Sequence, residues 1–329
     1  MTGFRWQLLR AGRFSLDAGS MMGLIPRVVW EKSVPIDDRH RVQLQHNCIY
    51  AENTDADGNT HRVLIETGTG NKLDAKMRKI FALQDRWVGD ALAEIGVACE
   101  SITDVVVSHL HFDHAGGLTR LCKDNESPDW VGPGSDGAEI NVKRSFPNAR
   151  VHTQQREWDD AIANRSVMTR TYYRDHLEPI ETQVVLHDSH RPFPAGLPID
   201  RDMKPRLSAM HRTTEVLPGV RVLQTPGHTW GQQAVLFDDD AGNTIVFTPD
   251  VMPTRWHCGA AYSLAYDVEP YTSMISKSWL LAEAAKHNWV LVLDHEPGQP
   301  CVRVHDDGHG WFALEDADVA QAKAAMEHA

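Results

Sequence analysis

The chain has 329 residues, 42% of them hydrophobic, and a formal net charge of −12 at neutral pH. That length can bury a substantial core, and the acidic balance argues against nucleic acid as a partner, because phosphate binding calls for a Lys/Arg-rich face. No apolar stretch approaches the length of a membrane span, the opening MTGFRWQLLRAGRF lacks a leader's apolar run, and the five scattered cysteines, Cys48, Cys99, Cys122, Cys258 and Cys301, form no CxxC pair. These observations predict a cytoplasmic protein with reduced thiols and no membrane partner.

A strand is predicted over Phe4 to Leu9, followed by GRFSLDAGSMMGLIPRVVWEK, whose glycines and Pro26 predict an irregular wrapping segment at about 10–40. Alternation of Val42, Leu44, His46, Cys48 and Tyr50 has the period of a half-buried strand. With Arg62 to Glu66 it makes a hairpin across Asp55-Ala56-Asp57-Gly58-Asn59, which lacks the distal ligands of a calcium loop and is an ordinary turn. The glycines of Gly68-Thr69-Gly70 are too few for a dinucleotide fingerprint. Asn71 to Gly96 reads as helix in two pieces, and the apolar run Val105 to Val107 leads into SHLHFDHAGG.

Asp124 to Gly137 reads as a loop. A strand near Arg150 to His152, helical pieces at Gln154 to Ile162 and Arg165 to Leu177, a strand over Thr182 to Leu186 and a Pro-rich excursion over His187 to Pro205 follow. Later strands are Val220 to Gln224, ending in TPGHT; Gln233 to Phe237 with Thr244 to Phe247, ending in Thr248-Pro249-Asp250; and Trp289 to Leu293, ending in Asp294-His295-Glu296-Pro297. A helix is predicted over Pro270 to Lys286 and a surface helix over Asp316 to Ala329.

His109, His111, Asp113 and His114 put metal-type side chains at four of six consecutive positions. Crowding imidazoles and a carboxylate in this way is costly to desolvate unless a cation holds them together. Side-chain alternation directs His109 and His111 to one side, and the following turn brings Asp113 and His114 from another. His228, Asp250 and His295 each stand at the mouth of a strand as well. Elsewhere ordinary roles are expected: His152, His176, His187, His190, His211, His287, His305 and His309 as surface or loop residues, Lys277 as a solvated charge, and Met21, Met22, Leu24, Ile25, Trp158, Met168 and Tyr172 as core at least as much as an apolar pocket. His257 is balanced between structure and substrate contact.

HLHFDHAGG, TPGHTWGQ, a strand ending in Asp and a strand ending in His resemble, in order and context, a metallo-β-lactamase-fold metallohydrolase. The resemblance spans nearly the whole chain. It implies an α+β fold, a four-layer αβ/βα sandwich, built as one domain over 1–329 with a helical and loop excursion at about 119–215 near the site. It further implies two Zn2+ per chain, with Mn, Fe or Co as substitutes: one metal on His109, His111 and His228, the other on Asp113, His114 and His295, and Asp250 bridging. Attack of a metal-bridging hydroxide, with Asp113 as proton carrier, and homodimers are likewise implied. Thr225 and Asp294 are supporting candidates.

GRFSLDAGSMMGLIPRVVW, VLIETGTG, REWDDA and AYDVEPYTSMISKSWLLAEA resemble the lactonase and organophosphate-hydrolase branch. Two departures stand out: Glu66 replaces the aspartate of that branch's IDTG, and Pro253 replaces a tyrosine, leaving Tyr262 or Tyr266 to polarise a substrate. The resemblance implies a small-molecule lactone or ester substrate, an acyl-homoserine lactone among them. The alternatives are an organophosphate triesterase or arylesterase, a glyoxalase-type thioesterase, and a redox enzyme of the flavodiiron or persulfide dioxygenase type.

Overall fold

In the computed structural model, which describes residues 3–167, 171–193, 205–309 and 311–319, two sheets face each other and helices cover their outer faces. Strand β1 (Arg5–Asp17) opens the first sheet, and Asp17 then caps the short α1 (Ala18–Met22) by accepting a hydrogen bond from Ser20 N. After α2 (Arg27–Trp30), strands β2 (Arg41–Thr54) and β3 (Thr60–Ile65) form the expected hairpin. Asp55 organises its turn by accepting from Asp57 N and Asn59 N.

Helices α3 (Ala75–Ile80) and α4 (Val88–Glu94) lead to β4 (Asp104–Val106) and the single-turn α5 (Phe112–Ala115). Strands β5 (Thr119–Leu121), β6 (Trp130–Pro133) and β7 (Glu139–Arg144) then make a small separate sheet, in order β5-β7-β6. Strand β8 (Arg150–Gln154), α6 (Gln155–Ile162), α7 (Arg174–Leu177) and β9 (Val184–His187) complete the first half, whose sheet runs β1-β2-β3-β4-β8-β9.

The second sheet is ordered β10 (Thr214–Leu217), β11 (Val220–Gln224), β12 (Gln233–Asp238), β13 (Thr244–Thr248), β14 (Val290–Leu293), β15 (Cys301–Asp306) and β16 (Phe312–Asp316). Between β13 and β14 lies α8 (Pro270–His287), which starts with Pro at its first position and ends where Asn288 turns left-handed at φ 54°. This crossover makes β13 and β14 parallel, with Thr248 opposite Leu293.

Alternation along the strands sorts side chains into layers. Ile49, Val63 and Ile65 of the first sheet meet Val222, Val235, Phe247 and Val292 of the second in the central core. Leu64, Val105 and Val151 face outward onto Val88, Leu92 and Ala161, while Leu236, Val246 and Leu291 pack on Leu280, Leu281 and Ala284 of α8. The result is helix, sheet, sheet, helix, as expected. Fully burying one such aliphatic side chain contributes about 1.5–3 kcal/mol.

Several local expectations change. The first strand continues through Asp17, because its paired partner β2 is equally long. The stretch expected as a loop over Asp124 to Gly137 contains β6 and borders β7, whose residues are mostly half-exposed and carry little apolar periodicity. Strands β10, β15 and β16 were not anticipated. Asp316 closes a strand rather than opening a helix; the rest of that expected helix from 320 onward, and Met168, lie outside the described residues. None of the described helices is long and apolar enough to cross a membrane.

Candidate metal centre

Four strand ends deliver the site. β4 ends before His109, β11 before His228, β13 before Asp250 and β14 before His295. The parallel register of β13 and β14 sets Asp250 beside Asp294 and His295. On the opposite side, SHLHFDHAGG turns from β4 into α5 beneath Gly68-Thr69-Gly70. A Cβ on Gly70 (φ 71°) would stand 2.7 Å from Gly116 O, and one on Gly117 2.2 Å from Thr67 O, so the two backbones meet only because both positions are glycine.

The expected ligands converge. His109, His111, His228 and Asp250 offer donor atoms all within 4.8 Å of one another, and so do His114, Asp250, Asp294 and His295. All are buried. Asp250 belongs to both sets: its Oδ2 lies 3.0 Å from His228 Nε2 and its Oδ1 3.4 Å from His295 Nε2. His114 Nε2 and His295 Nε2 stand 3.2 Å apart, close to the separation of about 3.3 Å that two nitrogens take on one tetrahedral zinc with bonds near 2.05 Å.

Asp294 stands in the second donor set and Asp113 just outside both, a placement the sequence did not indicate. Asp113 places Oδ1 3.8 Å from His114 Nε2 and Oδ2 3.7 Å from His295 Nε2. Asp294, expected only as support, joins the tighter set itself. Thr225, the other supporting candidate, is buried, with no hydrogen-bond partner for its hydroxyl among the described residues.

Buried acceptors fix the imidazoles. Asp267 Oδ1 is 2.8 Å from His228 Nδ1, Glu66 Oε2 is 3.0 Å from His114 Nδ1, and the carbonyl of Gln45 is 3.2 Å from His295 Nδ1. Each acceptor requires the proton on Nδ1, which leaves the Nε2 lone pair pointing into the cluster. Glu66 does so from a left-handed backbone (φ 69°), and it also accepts from Ser108 N at 2.5 Å. Its longer side chain therefore makes supporting contacts where the IDTG aspartate is expected.

Glu157 is a second hub: it accepts from Leu110 N, Thr229 Oγ1 and Tyr172 Oη, tying the HxH turn to the turn that holds His228. Behind His295, His46 stacks on Phe14 and is held by Gly12 O and Thr69 Oγ1. Glu66 was marked from sequence only as a departure from IDTG, and none of Glu157, Asp267 or His46 was singled out as a supporting residue, although the motifs REWDDA and AYDVEP contain Glu157 and Asp267.

The donor set fits divalent metal. His109 Nε2, Asp250 Oδ1 and both Asp294 oxygens are buried without a hydrogen-bond partner among the described residues, and His111 turns Nδ1 toward His228 Nε2 at 2.9 Å. Burial, aided by neighbouring imidazoles, pushes His109 and His111 well below the usual histidine range, while burial lifts Asp113 to about 6 and Asp294 well above its ordinary value. The cluster is split: Asp250 and other acids raise His114 and His228, and the imidazoles around Asp250 lower its carboxyl, so the charged forms concentrate around Asp250 while His109, His111, Asp113 and Asp294 are pushed toward neutrality.

The two tyrosines differ. Tyr266 sets its ring 5.9 Å from that of His228 and donates its hydroxyl to Met21 Sδ at 2.6 Å. Burial, reinforced by Asp250 and Asp113, holds its phenol well above the ordinary range, so it stays protonated. Tyr262 lies over His257 instead, with ring centroids 6.2 Å apart. His257 itself is structural: it lies 2.8 Å from both Met21 O and Thr254 Oγ1.

Other expectations are overturned by burial. His152 and His176 are 1% exposed rather than superficial; His152 is held by Asp104 at 2.9 Å. Leu24, grouped with the pocket and core candidates, is 73% exposed. Lys277 is 1% exposed, and its ammonium donates to Gly259 O and Tyr262 O, anchoring the loop that leads to Tyr266. Burial lowers it from 10.5 to about 7. The unfolded chain then binds more protons than the folded one between those values, so Lys277 makes stability rise with pH across that window. Lys277→Met is expected to flatten the rise, checked by urea unfolding of both proteins at neutral and alkaline pH; parallel slopes would contradict it.

N-acyl homoserine lactonase of Bacillus sp is 26% identical over 176 residues, covering 52% of this chain and 47% of that protein. The chain spans about half the length of the curated relatives it matches. Among solved structures, a probable metal-dependent hydrolase from Staphylococcus aureus superposes with TM-score 0.74 at 21% identity, covering 97% of this chain and 99% of that one. AidC, a dizinc quorum-quenching lactonase, gives 0.67 at 15% identity, with 97% and 96% covered. Both structural likenesses are of fold. A family model described as the metallo-beta-lactamase superfamily matches residues 41–295. That stretch begins with β2 and closes on His295, taking in every side chain of both donor sets, and the chain belongs to the metallo-β-lactamase superfamily.

Proposed function

We propose that the chain, as one hydrolase domain, is a dinuclear metal-dependent hydrolase that opens a lactone or a related ester, with N-acyl homoserine lactones the leading substrates. The observation that carries this is the buried convergence of two donor sets on a shared Asp250, with donor atoms left unpartnered among the described residues. The likeness to N-acyl homoserine lactonases supports the choice of substrate.

His109, His111 and His228 would hold one metal, and His114, His295 and Asp113 or Asp294 the other, with Asp250 between them. A donor set of nitrogen and oxygen alone suits zinc. Two such ions would supply Lewis acidity and a water activated near neutral pH. The chain does the rest. Asp113, beside His114 and His295, takes up a proton on its carboxylate and returns it to the leaving oxygen. Tyr266, protonated and facing the cluster, gives up Met21 Sδ to donate its hydroxyl to the substrate carbonyl oxygen.

The test is a panel of acyl-homoserine lactones, simple lactones, aryl esters and a phosphotriester on protein of measured metal content. Ring opening that a chelator abolishes and zinc restores is expected. Turnover no greater than that of the metal-free protein overturns the reading, and a preference for the phosphotriester moves it to another substrate.

A further inference from the structure

Beside the centre, α6 and the turn after it form one wall of a cavity of about 350 Å3. Its inner end is lined by Tyr172, whose ring is 5.1 Å from that of His111, and by Thr229, the neighbour of His228. Trp230 adds buried aromatic surface there. The outer wall is charged. Helical spacing puts Arg156 and Asp160 on one face, with Arg156 Nε on Asp160 Oδ2 at 2.6 Å. Arg165 donates its main-chain N–H to Asp160 O, and its guanidinium reaches Asp160 Oδ1 at 3.3 Å.

One carboxylate therefore serves two guanidiniums, and Asp160 is the sole acid among the described residues lining the cavity. A staple for the end of α6 needs a single arginine. The second leaves a net positive charge on this wall, in a chain whose overall charge is −12. Asp160 is buried, whereas the side chains of Arg156 and Arg165 are 30% and 67% exposed, so the unspent charge lies on the accessible side. Guanidinium edges match carboxylate oxygens in spacing and charge, and an aromatic, partly dry wall strengthens such a pair.

Resting on the hydrolase reading, we propose that this cavity is the subsite for the substrate's acyl arm, and that the preferred arm ends in a carboxylate held by Arg156 and Arg165. The substrate class is thereby narrowed to lactones and esters whose acyl arm ends in a carboxylate, N-acyl homoserine lactones with a dicarboxylic acyl group among them.

Zinc-loaded protein would be assayed on the p-nitrophenyl monoester of glutaric acid and on p-nitrophenyl pentanoate, which differ at the arm's end. The ratio of their kcat/KM values is expected to favour the monoester by about tenfold or more in low salt, as one charge-assisted contact allows, and to shrink as NaCl screens the wall. Arg156→Gln and Arg165→Gln are expected to collapse that ratio, and Arg156→Lys to keep part of it. Calorimetric binding of glutarate against pentanoate supplies a readout independent of turnover, with glutarate favoured by the unaltered protein and the preference lost in both glutamine variants. A ratio near one in the unaltered protein, or one that neither glutamine variant moves, overturns the inference. If neither ester is turned over, the hydrolase reading fails, and the calorimetric preference alone decides whether the cavity holds a dicarboxylate.

Discussion

Asp250→Ala is expected to empty both metal positions and to reduce kcat/KM by about 10^3-fold or more, since losing even a residue that only orients a ligand costs about 10–100-fold in metal affinity. The size of the effect follows from geometry. Asp250 is the one residue in both donor sets, with Oδ2 toward His228 and Oδ1 toward His295. No neighbouring carboxylate can replace it, because Asp113 and Asp294 stand with the second set alone. Metal content after dialysis should fall from two per chain to below one. His295→Ala, by contrast, should retain the metal on His109, His111 and His228. Two tightly held metals in Asp250→Ala would refute the bridging role.

The second large effect concerns Glu66, which touches no metal. Glu66→Ala leaves the Ser108 N–H and the His114 Nδ1–H without their acceptor in a fully buried place. Breaking a buried charged contact of this kind costs about 3–5 kcal/mol, and a freed His114 ring should weaken the second metal about 10–100-fold. Glu66→Gln separates the two effects. Its amide oxygen can still accept from Ser108 N, but its NH2 cannot accept from His114, so much of the stability should return without the metal affinity. Urea unfolding of metal-free protein and zinc competition against a chelator measure these separately. Zinc affinity in Glu66→Gln equal to that of the unaltered chain would show that the carboxylate does not orient His114.

How much of this was legible beforehand depended on whether a signal was local. The HxHxDH stretch, TPGHT and the apolar runs ending in Asp250 and His295 are dense or strand-terminal, so residue type and spacing sufficed to nominate six of the side chains that the fold brings together, with Asp113 just outside them. The layered core was legible for the same reason, because alternation along β2 and the apolar runs of β4, β11 and β14 encode which face is buried. Glu157 and Asp267 were not, since each is a single acid whose meaning lies in partners 47 and 39 residues away. Lys277 misled because lysine is ordinarily solvated, and only the carbonyls of Gly259 and Tyr262 reveal why this one is inside. Asp294 stood next to a nominated ligand, yet alternation along a strand sends neighbours to opposite faces; the chain leaves β14 before this point, and both side chains turn the same way.

The parallel ladder of β13 and β14, with Thr248 facing Leu293, has a consequence for how the site can diversify. Asp250 and His295 each follow their strand by two residues, so the span between them is set by hydrogen bonds between main chains. Strand pairing admits only whole-residue steps of about 3.3 Å, and each single step turns a side chain to the opposite face. The spacing of Asp250 and His295 is in that sense digital. Loops such as the one after α6 can lengthen, shorten or change charge, while the distance between Asp250 and His295 stays locked in the sheet.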